Sequence, residues 1–169
     1  SGRLLFSLMF PKFLLDSDDD WQEGLRRWLY PRLHPLLVRY GGYGVGHCGW
    51  NQYAGTFDED EEVVEDELVD VGFRRNPIAA YKSLPDGRKS EGSWVLLNED
   101  APDHVAPGMQ LHITLFKRKD GKPGREVYAH YEDDWRASPS DHLNEANFSA
   151  AAGVDIARDY LNNNTFLQL

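Results

Sequence analysis

The sequence predicts an α+β domain built on a mostly antiparallel sheet of about 4–6 strands, with helices packed on one face. Three observations predict it. Residues 109–117 and 125–131 each alternate apolar and polar residues on either side of an Asp-Gly-Lys-Pro-Gly turn, the pattern of a β-hairpin. Residues 56–71 and 149–162 carry apolar positions at helical spacing, each with a start residue in front. The elements run helix, strand, helix, three to four strands and helix, with no regular strand–helix alternation of the kind that builds a parallel sheet. The 169 residues show no repeat and no linker, so 1–169 reads as one domain with an apolar N-terminal segment over 1–15.

Taken in order, residues 4–15 hold Leu4, Leu5, Phe6, Leu8, Met9 and Phe10 before Pro11, then Phe13, Leu14 and Leu15. The run is too short for a bilayer. It reads as a buried first element or, alternatively, as the contact of a homo-oligomer. Asp16-Ser17-Asp18 offers N-caps for a helix over 19–40, with Trp21, Leu25, Trp28 and Leu29 on one face and Leu33, Leu36, Leu37 and Tyr40 continuing it. Pro31 and Pro35 kink or split that helix, and Gly41-Gly42 ends it. The Gly-rich, aromatic stretch 41–55 reads as a strand over 44–54. Thr56 and Glu59 have capping-box spacing for a helix running to Val71, with Val64, Leu68 and Val71 inward and Gly72 as its stop. Pro85-Asp86-Gly87 forms a turn, residues 93–97 a strand and 98–108 a loop. After the hairpin, Ser149 starts a last helix whose Val154, Ala157, Tyr160 and Leu161 share a side.

Composition excludes several classes of function. A single cysteine leaves no intramolecular disulfide and no Cys-rich zinc site. The net charge of -10 argues against nucleic acid, whose phosphates need a basic surface. There is no transmembrane run, and a cytoplasmic protein is expected. The acidity is local: residues 56–72 contain nine Asp and Glu and no Lys or Arg. This is either a solvated helix face or a docking face for a basic protein partner, with Glu61, Glu62 and Glu65 as its candidate contacts.

Candidate chemistry is sparse, and no complete motif requires a cofactor. Gly44-Val45-Gly46-His47-Cys48-Gly49 fits the spacing of a dinucleotide loop, but a helix precedes it where a strand is needed. Trp50 beside this loop and Tyr128 on the hairpin are candidate binding aromatics. Cys48 is a candidate nucleophile that His47 cannot serve, because neighbours in a strand face opposite ways. His112-Ile113-Thr114-Leu115 resembles one half of the H-x-T-x signature of the two-histidine phosphoesterases; no other histidine repeats it, so the resemblance implies no mechanism. If Leu111, Ile113 and Leu115 share a face with Val127, Ala129 and Tyr131, then His112 and His130 share the opposite one. They are the candidate catalytic or metal-ligating pair, with His47, Glu126 or Glu132 as third ligand. Glu132, Asp133 and Asp134 otherwise read as a solvated turn. Two functions follow: a non-enzymatic binding or regulatory domain acting through protein contacts, or a small hydrolase-like or metal-dependent enzyme with its site on the 109–131 hairpin.

Overall fold

The predicted hairpin is the centre of the structure, a computed structural model that describes residues 21–40, 44–76, 81–166 and 169. In chain order the elements are α1 (Trp21–Arg39), β1 (Val45–His47), a 3-10 turn (Trp50–Gln52), β2 (Tyr53–Phe57), α2 (Glu61–Asp70), β3 (Arg74–Arg75), β4 (Tyr81–Ser83), β5 (Ser90–Leu97), β6 (Met109–Lys117), β7 (Arg125–Asp133), α3 (Pro139–Leu143) and α4 (Ala150–Asn164). Five strands form an antiparallel sheet in the order β2-β7-β6-β5-β3, and β1 and β4 form a separate parallel pair. This is the α+β class the sequence predicts.

The hairpin register places Leu111 opposite Tyr131, Ile113 opposite Ala129 and Leu115 opposite Val127. Leu111, Ile113, Leu115, Val127 and Ala129 are fully buried and join Val64 and Leu68 of α2 with Val154, Ala157 and Leu161 of α4 in the main core. A one-residue slip would turn that whole row away from the helices, which is why the pairing is strongly specified. Helix α4 begins as expected: Ser149 accepts from the Ala152 amide at 3.1 Å. Helix α2 ends at Gly72, whose φ of +95° is the left-handed geometry that lets the chain leave the helix without a Cβ clash.

Several expectations are corrected. Thr56 does not cap α2. It lies in β2 opposite Glu126, because pairing to β7 holds the chain extended through Phe57, and its hydroxyl meets that of Tyr53 at 2.7 Å. The N-cap is Asp60, without a side-chain cap bond, and Glu61 and Glu62 place negative charge at the positive end of the helix. The single strand over 44–54 is β1, the 3-10 turn and part of β2. Helix α1 runs through Pro31 and Pro35, yet none of its described side chains is buried and Leu36 is 53% exposed. The main core is already filled from α2 and α4, so α1 rests against β1 and β4 instead. Strand β7 continues to Asp133, so Glu132 and Asp133 are buried rather than in a solvated turn. The expected contact over 4–15, the caps at 16–18 and the Gly41-Gly42 stop lie outside the described residues, as does the Trp21 side chain.

The second face of the sheet is not open. Cys48 and Leu84 pack on Phe116 and Tyr128 in a smaller apolar cluster. Beside it lie buried polar residues: His112, Thr114, His130, Glu132, Gln110, Gln52 and Lys82. A polar row is thus enclosed where an exposed sheet face is the ordinary outcome.

Candidate metal centre

Strand alternation brings the polar row together. Gln110, His112 and Thr114 follow one another at period two on β6, and His130 and Glu132 do the same on β7. His112 lies directly opposite His130, and Gln110 directly opposite Glu132. The two imidazole rings sit 4.7 Å apart, centre to centre, and the outer side of His130 is covered by Phe148 at 4.9 Å.

Glu132 is the hub. Its Oε1 lies 3.1 Å from His112 Nδ1 and 3.2 Å from His130 Nε2, and it accepts from Gln110 Nε2 at 2.9 Å. Its Oε2 is 3.5 Å from His142 Nδ1, which donates to the Asp133 carbonyl at 2.9 Å. His112, His130 and Glu132 are each at most 4% exposed, and one ligand atom from each falls within 4.8 Å of the others. Burial drives both imidazole pKa values down, His130 to about 4, with the Lys82 ammonium adding to the effect. Burial alone pushes the Glu132 carboxyl up, but the adjoining His112 and His130 imidazoles outweigh it and hold it far below the usual carboxylate range.

The proton arrangement is informative. Gln52 Oε1 lies 3.0 Å from His130 Nδ1 and so accepts the proton of that nitrogen. A neutral imidazole carries one N–H, which leaves His130 Nε2 a lone pair facing a carboxylate oxygen. Two electron-rich atoms at 3.2 Å are stable with a proton or a cation between them. Burial opposes the extra proton on His130. The edge of a tetrahedral zinc site, with bonds near 2.0–2.1 Å, is about 3.3 Å, close to the two nitrogen–oxygen separations here. Were an ion bound there, Gln52 would hold the outer nitrogen of His130 and so fix its tautomer and ring plane. An ion held by these three side chains would have a fourth position left for water or a substrate, as in catalytic rather than structural zinc sites. The far nitrogen of His112, Nε2, is buried with no hydrogen-bond partner among the described residues.

The other candidates are placed as follows. His47 and Cys48 do point apart: His47 is exposed and its Nδ1 bonds Ser83 Oγ at 3.0 Å, while Cys48 is buried. Burial pushes the Cys48 thiol up, against smaller opposing effects of Lys82 and the Thr114 hydroxyl, so the nucleophilic thiolate is disfavoured. Of the possible third ligands, Glu132 joins the pair, whereas Glu126 is bound to Arg88 at 2.8 Å. Trp50 and Tyr128 do meet: with Tyr53, Arg88 and Lys119 they line a cavity of about 350 Å³. On the acidic helix, Glu61 is bound to Arg125 at 2.5 Å and Glu65 to Arg75 at 3.3 Å, and only Glu62 of the three is exposed. The Gly44–Gly49 loop opens no α-helix, only the single 3-10 turn at Trp50–Gln52; the amides of Gly44 and Val45 donate to His34 Nδ1, both at 3.2 Å.

Gln110, Gln52 and Lys82 were not among the expected site residues, and His142 was not expected in this cluster. The period of two on β6 carries the signal for Gln110, since it stands two residues before His112. The other three arrive from distant segments, and no local pattern announces them. No family model matches the chain, and neither a curated protein nor a solved structure matches it.

Proposed function

We propose that the chain is a small metal-dependent, hydrolase-like enzyme whose divalent ion is held by His112, His130 and Glu132. The observation that carries this reading is the buried carboxylate oxygen of Glu132, shared between His112 Nδ1 and His130 Nε2 while Gln52 claims the proton of the second ring. Imidazole and carboxylate together suit zinc and its first-row neighbours. An ion there supplies Lewis acidity at the position the protein leaves open. The polypeptide contributes ligand orientation, through Gln52 on His130 and Gln110 on Glu132, and exclusion of bulk water. A protein-contact role for the acidic helix has less support, because Glu61 and Glu65 are already held by the chain's own arginines.

Zinc added to the metal-free chain at a hundredfold over its Kd should stabilise it by about 2.7 kcal/mol, a rise in Tm on the order of 5–10 °C for a domain of this size. His112→Gln and Glu132→Gln should each abolish the rise. Cobalt(II) should give a visible spectrum of a low-coordinate site in the wild-type chain and lose it in both variants. A Tm indifferent to zinc, cobalt and manganese would mean that the Gln52 amide donates to His130 and that the cluster is a proton-linked network, and the enzyme reading would fall.

A further inference from the structure

Immediately beside this cluster the sheet carries a second cavity, of about 220 Å³. Val95, directly opposite His112, and Gln110, bonded to Glu132, form part of its wall. Among the described residues, the ionisable groups in its lining are Arg74, Arg75 and Arg136, and none is acidic. Arg75 is paired with Glu65, which lies outside the lining. Arg74 is bound to Glu99 and Asp100, and Arg136 to Asp134. A guanidinium has five N–H donors, so a carboxylate partner orients it and still leaves donors for a ligand. Trp135, 37% exposed, adds an apolar wall. Gln110 is fully buried, and while its Nε2 is engaged by Glu132, its Oε1 has no hydrogen-bond partner among the described residues.

We infer that this cavity is the substrate pocket of the His112–His130–Glu132 centre, and that it takes a substrate bearing an anionic group, a carboxylate or a phosphate, next to an apolar portion. This rests on the metal-centre reading above. Arg74 and Arg136 bind the anion, Trp135 and Val95 bind the apolar part, and Gln110 is the shared wall. One end of its amide orients Glu132, and the other offers an acceptor to the bound molecule.

The test uses the whole chain, zinc-loaded and zinc-free, with benzoate, phenyl phosphate and the neutral benzyl alcohol as probes, followed by calorimetry and by NMR of the Gln110 amide and Trp135 indole. At least one of the two anions should bind saturably and about tenfold or more tightly than benzyl alcohol, as loss of charge-assisted bonds implies. The tighter of the two names the anion class. Arg74→Ala with Arg136→Ala should weaken that anion about tenfold or more while leaving the zinc-induced rise in Tm intact. Zinc should change the anion's affinity about fivefold or more, and the anion should change zinc affinity by the same factor. If zinc binds but the anions do no better than benzyl alcohol, ignore the arginine substitutions, or show no coupling to zinc, the pocket assignment is overturned and the metal centre stands. If zinc itself has no effect on Tm, the metal centre falls and takes the joint site with it.

Discussion

Cys48 illustrates how far one side chain's role depends on its surroundings. Sequence presents it as the lone thiol beside a histidine; the fold seals it against Leu84, Phe116 and Tyr128. Its pKa is raised from 9.0, with burial the largest cause. The consequence for stability has a definite sign. Well below pH 9 the thiol is neutral in both folded and unfolded chains and contributes nothing. As pH rises past 9, the unfolded thiol releases its proton first, so stability falls until the pH exceeds the folded value. The urea midpoint of the wild-type chain should therefore drop between pH 8.5 and 10 more steeply than that of Cys48→Val, since lysines and tyrosines common to both cancel in the comparison. Ellman's reagent at pH 8 should modify the native thiol far more slowly than the unfolded one. Parallel curves and rapid native labelling would instead show Cys48 to be accessible, and would restore it as a nucleophile candidate.

The elements differ in how openly the sequence declares them. Strands β6 and β7 were legible almost to the residue, because one face of each packs on helices and so repeats an apolar residue at every second position. Helix α4 was legible from Ser149 and its apolar stripe. The helix α3 and the burial of the second sheet face were not, since both depend on segments brought from far along the chain. The same limit applied to the candidate site: the shared face of His112 and His130 followed from alternation, whereas their enclosure by Gln52, Phe148 and Lys82 did not. One further feature was hidden in the middle of α4. Gly153 would be read as a weak point in a helix, yet a Cβ there would lie 2.2 Å from His130 Cα. The glycine lets the helix settle directly on the strand that carries His130, and backbone cannot move aside as a side-chain tip can. Gly153→Ala should thus lower stability by about 1–3 kcal/mol, as overpacking does, despite the better helix propensity of alanine. It should also shift the His130 ring resonances and weaken the proposed zinc site. Stabilisation by Gly153→Ala, the outcome propensity alone predicts, would contradict this packing.

Across the whole molecule the charge pattern explains how an acidic helix stays attached to a sheet. The net charge is -10, and nine acidic residues fall within 56–72. Self-repulsion of such a segment opposes compaction. The fold answers with arginines aimed from the sheet side: Arg125 on Glu61, Arg75 on Glu65 and Arg118 on Asp58. Asp66 and Asp70 remain exposed. Composition revealed the acidic segment, but not its partners, which stand up to 64 positions away. Arg125 is the critical one, because it also holds Glu91, a carboxylate only 3% exposed, at 2.5 Å. Burial raises the Glu91 pKa and Glu61 raises it further, while Lys117 and Arg125 oppose both. Removing Arg125 leaves two carboxylates facing each other with one of them buried, the case in which breaking an ion pair is costly. Arg125→Met, which keeps the apolar stem, should cost about 2–3 kcal/mol, somewhat under the value for a fully buried pair because Glu61 is partly solvated. Glu62→Gln, on the exposed side of the same helix, should stay within about 0.5 kcal/mol of wild type. Adding Glu91→Gln to Arg125→Met should recover part of the loss, since the buried carboxylate would no longer need a counter-charge. Chemical denaturation of the four proteins measures all three terms; equal stability of Arg125→Met and Glu62→Gln would show that the acidic helix is held by Val64 and Leu68 alone.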